Sequence, residues 1–415
     1  MARKLPPLRY ELDLMPSPLE DRPGLLMRDP FQYTDATLIL PPLLAQALAL
    51  FDGEASELDL RAWLTQKTGE LETSDLAAHL LRTLDENGFL QSDAFFAMRD
   101  QKHTDFAAAP ERQPAHAGSA YPDQPDALRA TMLGWDLPPA QAGATARQGR
   151  LVGLAAPHVS PEGGFKSYAA AYRLLKPEDT DKTFIILGTS HYGEPEHFGL
   201  TRKSYQTPLG PVETDTAIVD ALERAGGDSV RMEDYCHASE HSIEFQSLYL
   251  QAALHDALPE GERLRAVPVL CGSFYRSLVN GKPPESDERV KRFLDALSEL
   301  SAKRDDLIWV LGVDMAHIGR RYGDRDAAEA ETGHMLEVRA KDEARLQRME
   351  AGDSGGFFDL VHPNRDELRW CGYAPIYAFL HSQSGITGRT LLYEQWNIDP
   401  QSVVSFAGVE FQSNH

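Results

Sequence analysis

The sequence predicts an α/β protein with a central, mostly parallel sheet flanked by helices, preceded by a small α+β domain. From His116 onward, short apolar runs alternate with segments whose apolar residues recur at helical spacing, as expected of a sheet buried on both faces. Residues 1–100 lack that alternation and read as short helices separated by turn signals. Between the two, residues 101–115 are rich in proline and small residues and read as a linker. A chain of 415 residues is long for one domain, so a division into domains at 1–100 and 116–415 is expected.

The elements follow in order. Residues 42–51 have helical character and end at Asp52-Gly53, a turn signal. Leu58, Leu60, Trp63 and Leu64 give a second helix that runs to Thr68. Thr73-Ser74-Asp75 offers capping side chains to a third, which carries Leu76, Leu80, Leu81 and Leu84 and stops at Asn87-Gly88. Phe89-Leu90 then begins a short hairpin wing. Three helices and a wing resemble a winged-helix domain of the small PqqD-like type, which implies peptide or partner-enzyme binding. DNA binding is disfavoured, because the third helix sets Asp75, Asp85 and Glu86 against Arg82. In the second domain, residues 150–156, 183–187, 264–270 and 307–313 are predicted strands. Residues 168–175, 215–225, 242–253 and 287–301 are predicted helices.

The formal charge of −22 is spread along the chain. That argues against a generic nucleic-acid or anionic-membrane surface, since phosphate binding needs clustered Lys and Arg. No stretch approaches the roughly 18–20 consecutive apolar residues of a membrane span. Met1-Ala-Arg-Lys-Leu-Pro-Pro lacks the apolar segment of a secretion signal. Three cysteines, Cys236, Cys271 and Cys371, form no CxxC pair and are too few for a disulfide framework. A reducing cytoplasm is the expected compartment. The sequence has no P-loop, no GxGxxG after a strand, no GxSxG elbow and no kinase signature.

Chemistry concentrates where the predicted strands end. His158 follows Leu154-Ala-Ala-Pro, His191 follows Ile185-Ile-Leu-Gly-Thr-Ser, and Asp314 and His317 follow the run 307–313. In α/β proteins ligands sit at the carboxyl ends of buried strands, so residues far apart in sequence can converge there. Cys371 lies in Arg369-Trp-Cys-Gly-Tyr-Ala-Pro ahead of a predicted helix, a place that favours a thiolate. Imidazole and thiolate are ligands for zinc, iron and copper. Each of these residues taken alone is also compatible with ordinary structure: a polar histidine on a loop, a small buried cysteine, a helix cap at Asp314. The segment Cys236-His-Ala-Ser-Glu240-His241-Ser-Ile-Glu244, if helical, puts His237 and His241 on one face. It departs from the metalloprotease signature, which has Glu directly after the first histidine where this chain has Ala238. Glu240 and Ser242 are expected to cap or brace a helix while Glu244 hydrogen-bonds a ligand histidine. Direct metal binding by this segment is the alternative.

Taken in order, several islands resemble the Memo family, called AmmeMemoRadiSam system protein B in bacteria and archaea. They are His116-Ala-Gly-Ser-Ala-Tyr-Pro122, Ala155-Ala-Pro-His158, Leu187-Gly-Thr-Ser-His191, Thr207-Pro-Leu-Gly, Glu240-His-Ser-Ile-Glu244, Val267-Pro-Val-Leu270, Asp314-Met-Ala-His317 and Cys371-Gly, spread over residues 113–415. The resemblance implies a fold similar to the LigB-type class III extradiol dioxygenases. It also implies one metal ion held by His158, His191 and Cys371, with Asp314 and His317 as pocket base or orienting groups and His241 and Glu244 bracing the site. The related dioxygenases use two histidines and one glutamate for non-haem iron(II). Cysteine in place of that glutamate softens the site, favouring copper or an unusual iron centre while still admitting zinc. Three functions follow as expectations: a metal-dependent oxidoreductase, a peptide- or partner-binding protein using the same pocket, and a zinc-dependent hydrolase. Radical-SAM and AMMECR1-like proteins are the implied companions. After His158 this chain has Val159-Ser-Pro-Glu-Gly-Gly-Phe165 where common members have Ala-Gly-Tyr, so a different pocket rim is expected.

Overall fold

The computed structural model describes residues 3–413 apart from 18, 20 and 141–148. The chain divides into two compact units, Met1–Ala108 and Ala109–His415.

In the first unit, strands Asp13–Pro16, Leu25–Arg28 and Thr37–Leu40 pair antiparallel in that order. Helices Pro42–Ala47, Glu57–Thr68, Ser74–Glu86 and Asp93–Ala108 follow, so the three predicted helices are present. Ser56 and Asp59 form a reciprocal capping box at the second of them, and Gly69 ends it at φ 75°, where glycine carries no Cβ penalty. The predicted wing is replaced. The strands precede the helices, and after Gly88 an isolated antiparallel bridge joins Leu90 to Leu8 before Asp93 starts a new helix. Phe89 and Leu90 are apolar because they fill the core of this unit, not because they run along a ribbon. The same helix takes up residues 101–108 of the predicted linker. Arg9 and Asp29, both buried, form a two-pronged ion pair at 2.9 and 3.0 Å, and the Arg9 guanidinium lies 4.1 Å from the centre of the Phe95 ring.

In the second unit, strands Leu151–Ala156, Leu307–Gly312, Thr183–Thr189 and Leu264–Cys271 lie side by side in that order, all parallel. They form the centre of a 12-stranded mixed sheet. The first three are buried along their whole length, which is why they read as continuous apolar runs. Successive side chains still point to opposite faces. Phe184 and Ile186 share a core with Ile243 and Leu250 of helix His241–Leu254. Ile185 and Leu187 share another with Ile376 and Phe379 of helix Tyr373–Ser382. Helices therefore cover both faces.

Two glycines let one of those helices come close. A Cβ on Gly312 would lie 2.2 Å from the Ser242 carbonyl oxygen, and one on Gly188 would lie 2.5 Å from Ser242 Oγ. The C-terminal hairpin, Ile386–Asp399 with Ser402–Ser413, was not signalled by the sequence; its second strand pairs antiparallel with Leu151–Ala156. Among the described residues, no helix is long and apolar enough to cross a membrane.

Candidate metal centre

Ala156, Gly312 and Gly188 are register partners across three neighbouring parallel strands. Their chains leave the sheet at one edge, so His158, Asp314 and His191 emerge together at the carboxyl ends. Asp314 fixes the first loop: its Oδ1 accepts the backbone N–H groups of His158 at 2.9 Å and Val159 at 3.1 Å. His158 Nδ1 donates to the Gly312 carbonyl at 2.9 Å. A carbonyl only accepts, so the Nδ1 proton is fixed and Nε2 is left to face the Cys371 sulfur at 3.2 Å. Cys371 arrives from the turn ahead of helix Tyr373–Ser382. Thr189 Oγ1 donates to its carbonyl at 3.0 Å, and the next residue, Gly372, donates its N–H to the Asp314 carbonyl at 3.1 Å.

Glu240 organises the other side. Its φ of −71° and ψ of 130° separate helix Cys236–Ser239 from helix His241–Leu254. From this extended position its carboxylate accepts the N–H groups of His191 at 3.0 Å, His241 at 2.9 Å and Ser242 at 3.1 Å. It also accepts His191 Nδ1 at 3.0 Å, with His241 Nδ1 3.2 Å away. The His191 and His241 rings stack with centroids 5.0 Å apart and planes 13° apart. Both lie against His158, at 4.9 and 5.2 Å. One ring nitrogen from each of the three imidazoles lies within 4.8 Å of the other two. The structure thus contains a three-histidine cluster able to hold a metal ion, with a cysteine sulfur against it.

The charges are strongly coupled. Burial opposes charge on His158, but the Asp314 carboxylate and the Cys371 sulfur overcome it and raise the ring to about 9. Burial would raise the Cys371 thiol; the His158 and His317 rings, with hydrogen bonds from His158 and His191, bring it down to about 5. Burial also opposes charge on His191, yet Glu240 raises it well above the usual range. His241 is held well below its usual range by burial, which outweighs Glu240 and is reinforced by the neighbouring rings. Glu240 itself is buried, but His191 keeps its carboxyl well below the ordinary carboxylate range. The donor set fits a transition-metal ion: three imidazoles and a thiolate, with two ring N–H groups anchored on oxygen acceptors. His158 and Cys371 would bind such an ion in their deprotonated forms, so binding would release protons.

The other residues singled out in the sequence divide. His317 Nδ1 donates to the carbonyls of Met315 at 2.9 Å and Arg369 at 3.1 Å, and the ring sits edge-on to Tyr322 at 4.9 Å. Glu244 is taken up by residues 112–121. Its carboxylate accepts His116 Nδ1 at 3.0 Å, the N–H groups of Ala115 and His116, and the Tyr121 hydroxyl at 2.5 Å, with the Arg112 guanidinium beside it. The bracing expected of Glu244 falls to Glu240 instead. Glu244 pins residues 112–121 against the helix and sets the His116 ring edge-on to His241 and Phe245, at 5.7 and 5.5 Å. The break at Glu240 also separates His237 from His241, so the two do not share a helical face. His237 is fully buried and bonds the Tyr205 hydroxyl at 2.6 Å. Arg112 and Tyr121 were missed as partners of Glu244; Tyr121 lies within the His116–Pro122 motif and Arg112 just ahead of it.

The fold and the pocket define an α/β protein with a histidine–cysteine cluster at the carboxyl ends of parallel strands. The family described as Memo-like protein matches residues 112–410. The chain belongs to the Memo family. A MEMO1 family protein of Aquifex aeolicus is 23% identical over 390 residues, covering 93% of this chain and 95% of that protein. That coverage extends the likeness into the N-terminal unit. A MEMO1 family protein of Methanopyrus kandleri is 29% identical over 319 residues, covering 73% of this chain and 99% of its own length. A crystal structure of an uncharacterized protein from Escherichia coli K12 is similar over 62% of this chain and 99% of that chain, at a TM-score of 0.37 and 13% identity.

Proposed function

We propose that this Memo-family chain is a metal-binding oxidoreductase, dependent on non-haem iron or copper, with the ion held by His158, His191 and Cys371. The observation that carries this reading is the matched anchoring of the two imidazoles. Each donates its Nδ1–H to an oxygen acceptor, Gly312 for His158 and Glu240 for His191, which leaves Nε2 of both rings for an ion. The Cys371 thiolate makes the set softer than two histidines and a glutamate, which favours copper or an unusual iron centre. When bound, such an ion supplies one-electron chemistry with dioxygen. The chain's own residues do the rest. Asp314 holds the His158 loop, and with His317 it offers acid–base groups beside the pocket. The side chains of His191 and His241 are each 26% exposed, so substrate enters on their side.

The test is protein purified anaerobically without added metal, followed by elemental analysis and oxygen-uptake measurement. Iron or copper with oxygen consumption is the expected result. Zinc with no redox response assigns metal-dependent hydrolysis instead, and folded protein that takes up no metal contradicts the reading.

A further inference from the structure

We propose that His241 is a further metal ligand of this pocket, so that His241 and Cys371 serve as alternative third donors to an ion held by His158 and His191. The inference rests on the metal-binding reading above. It starts from geometry: the ring nitrogens of His158, His191 and His241 lie within 4.8 Å of one another, while the Cys371 sulfur lies 3.2 Å from His158 Nε2. The pocket therefore carries two overlapping donor triads with two imidazoles in common.

The position of the His241 ring supports the role. Glu240 Oε1 lies 3.0 Å from His191 Nδ1 and 3.2 Å from His241 Nδ1. A single carboxylate thus faces Nδ1 of both rings, accepting a hydrogen bond from His191, and the two rings stack with planes 13° apart. The carboxylate-backed imidazole is the usual setting of a histidine ligand. The two third donors also reach the pocket from opposite faces of the sheet: His241 opens helix His241–Leu254, and Cys371 precedes helix Tyr373–Ser382. Neither must move aside for the other to be present. Chemically the triads differ. Two imidazoles and a thiolate suit a soft ion such as copper(I), whereas three imidazoles suit borderline ions such as zinc(II), iron(II) or copper(II). One pocket can then retain its ion through a change of oxidation state, or after the thiol is modified.

Cobalt(II) added to chelator-stripped protein tests this, with the thiolate-to-cobalt charge-transfer band and the dissociation constant as readouts. Wild type is expected to bind with the band present. Cys371→Ala is expected to lose the band and still bind. His241→Ala is expected to keep the band and bind about tenfold more weakly, and the double variant to lose at least about a further tenfold. His241→Asn, checked by circular dichroism, replaces His241→Ala if the latter misfolds. Unchanged affinity on removing His241 in both the wild-type and Cys371→Ala backgrounds overturns the proposal, as does complete loss of binding in Cys371→Ala alone. Failure of wild type to bind cobalt sinks the metal-binding reading itself.

Discussion

Glu240→Gln is the perturbation that bears most directly on how the pocket is organised. The wild-type carboxylate is fully buried and accepts three backbone N–H groups and one imidazole. Glutamine keeps one acceptor oxygen and turns an NH2 group on the donors that the other oxygen served. If Oε2 is the position lost, the His191 N–H loses its partner; if Oε1 is lost, the His241 and Ser242 N–H groups do. An orphaned buried donor costs about 1–3 kcal/mol. Loss of the charge at the helix N-terminus adds about 0.3–1 kcal/mol, and the surviving bonds lose their charge assistance. The sum is a destabilisation of roughly 2–5 kcal/mol. Urea denaturation of the metal-free protein, followed by tryptophan fluorescence, measures it. Metal affinity, read by chelator competition, should fall about 10–100-fold, because the His191 ring loses its charged partner and the backbone at His241 loses its anchor. A destabilisation below about 1 kcal/mol together with unchanged affinity would refute the reasoning.

Three further outcomes follow from the same structure. Asp342 is buried and accepts Trp370 Nε1, Tyr393 OH and Ser405 Oγ; burial raises its carboxyl from 3.8 to about 6, against the opposing effect of those bonds and Arg345. A raised folded-state value gives stability that is present below the unfolded value and lost as pH rises through about 6. Asp342→Asn should therefore gain stability over wild type between roughly pH 4 and 6, by up to about 3 kcal/mol, and level off above; a pH-independent difference in urea midpoints counts against this. Gly312→Ala drives a Cβ to 2.2 Å from the Ser242 carbonyl oxygen, so a loss of about 1–3 kcal/mol is expected, with weaker metal binding as the helix bearing His241 is pushed back. Wild-type stability should rise by about 2.7 kcal/mol at a metal concentration of 100 times Kd, while His158→Ala shows no such rise in thermal melts.

Much of the pocket was legible because it is built by strand register. His158, Asp314 and His191 each follow an apolar run, and parallel strands in register must deliver such residues to one edge. Cys371 was legible through its glycine and the helix ahead of it. His241 and Glu240 were harder. Read as one helix, the Cys236–Glu244 segment gives Glu240 only a capping role, and the backbone break that aims its carboxylate at His191 has no signature in residue type. Glu244, one turn further on, looks equivalent in sequence, yet the chain at residues 112–121 claims it. In the N-terminal unit, Phe89-Leu90 has the composition of a strand but serves as core filling, so a wing was expected where a bridge stands. The strand Ser402–Ser413 went unseen because Ser405 and Gly408 interrupt its apolar run. Both are packed in the interior: Ser405 Oγ donates to Asp342, and a Cβ on Gly408 would meet the Ser167 carbonyl at 2.8 Å.

Metal retention by the His158→Ala/Cys371→Ala double variant, compared with wild type after purification without added metal, tests the central claim most directly. Wild type should carry about one ion per chain, and the double variant should carry none while keeping its circular dichroism spectrum. Full occupancy in the folded double variant, or none in wild type, contradicts the account.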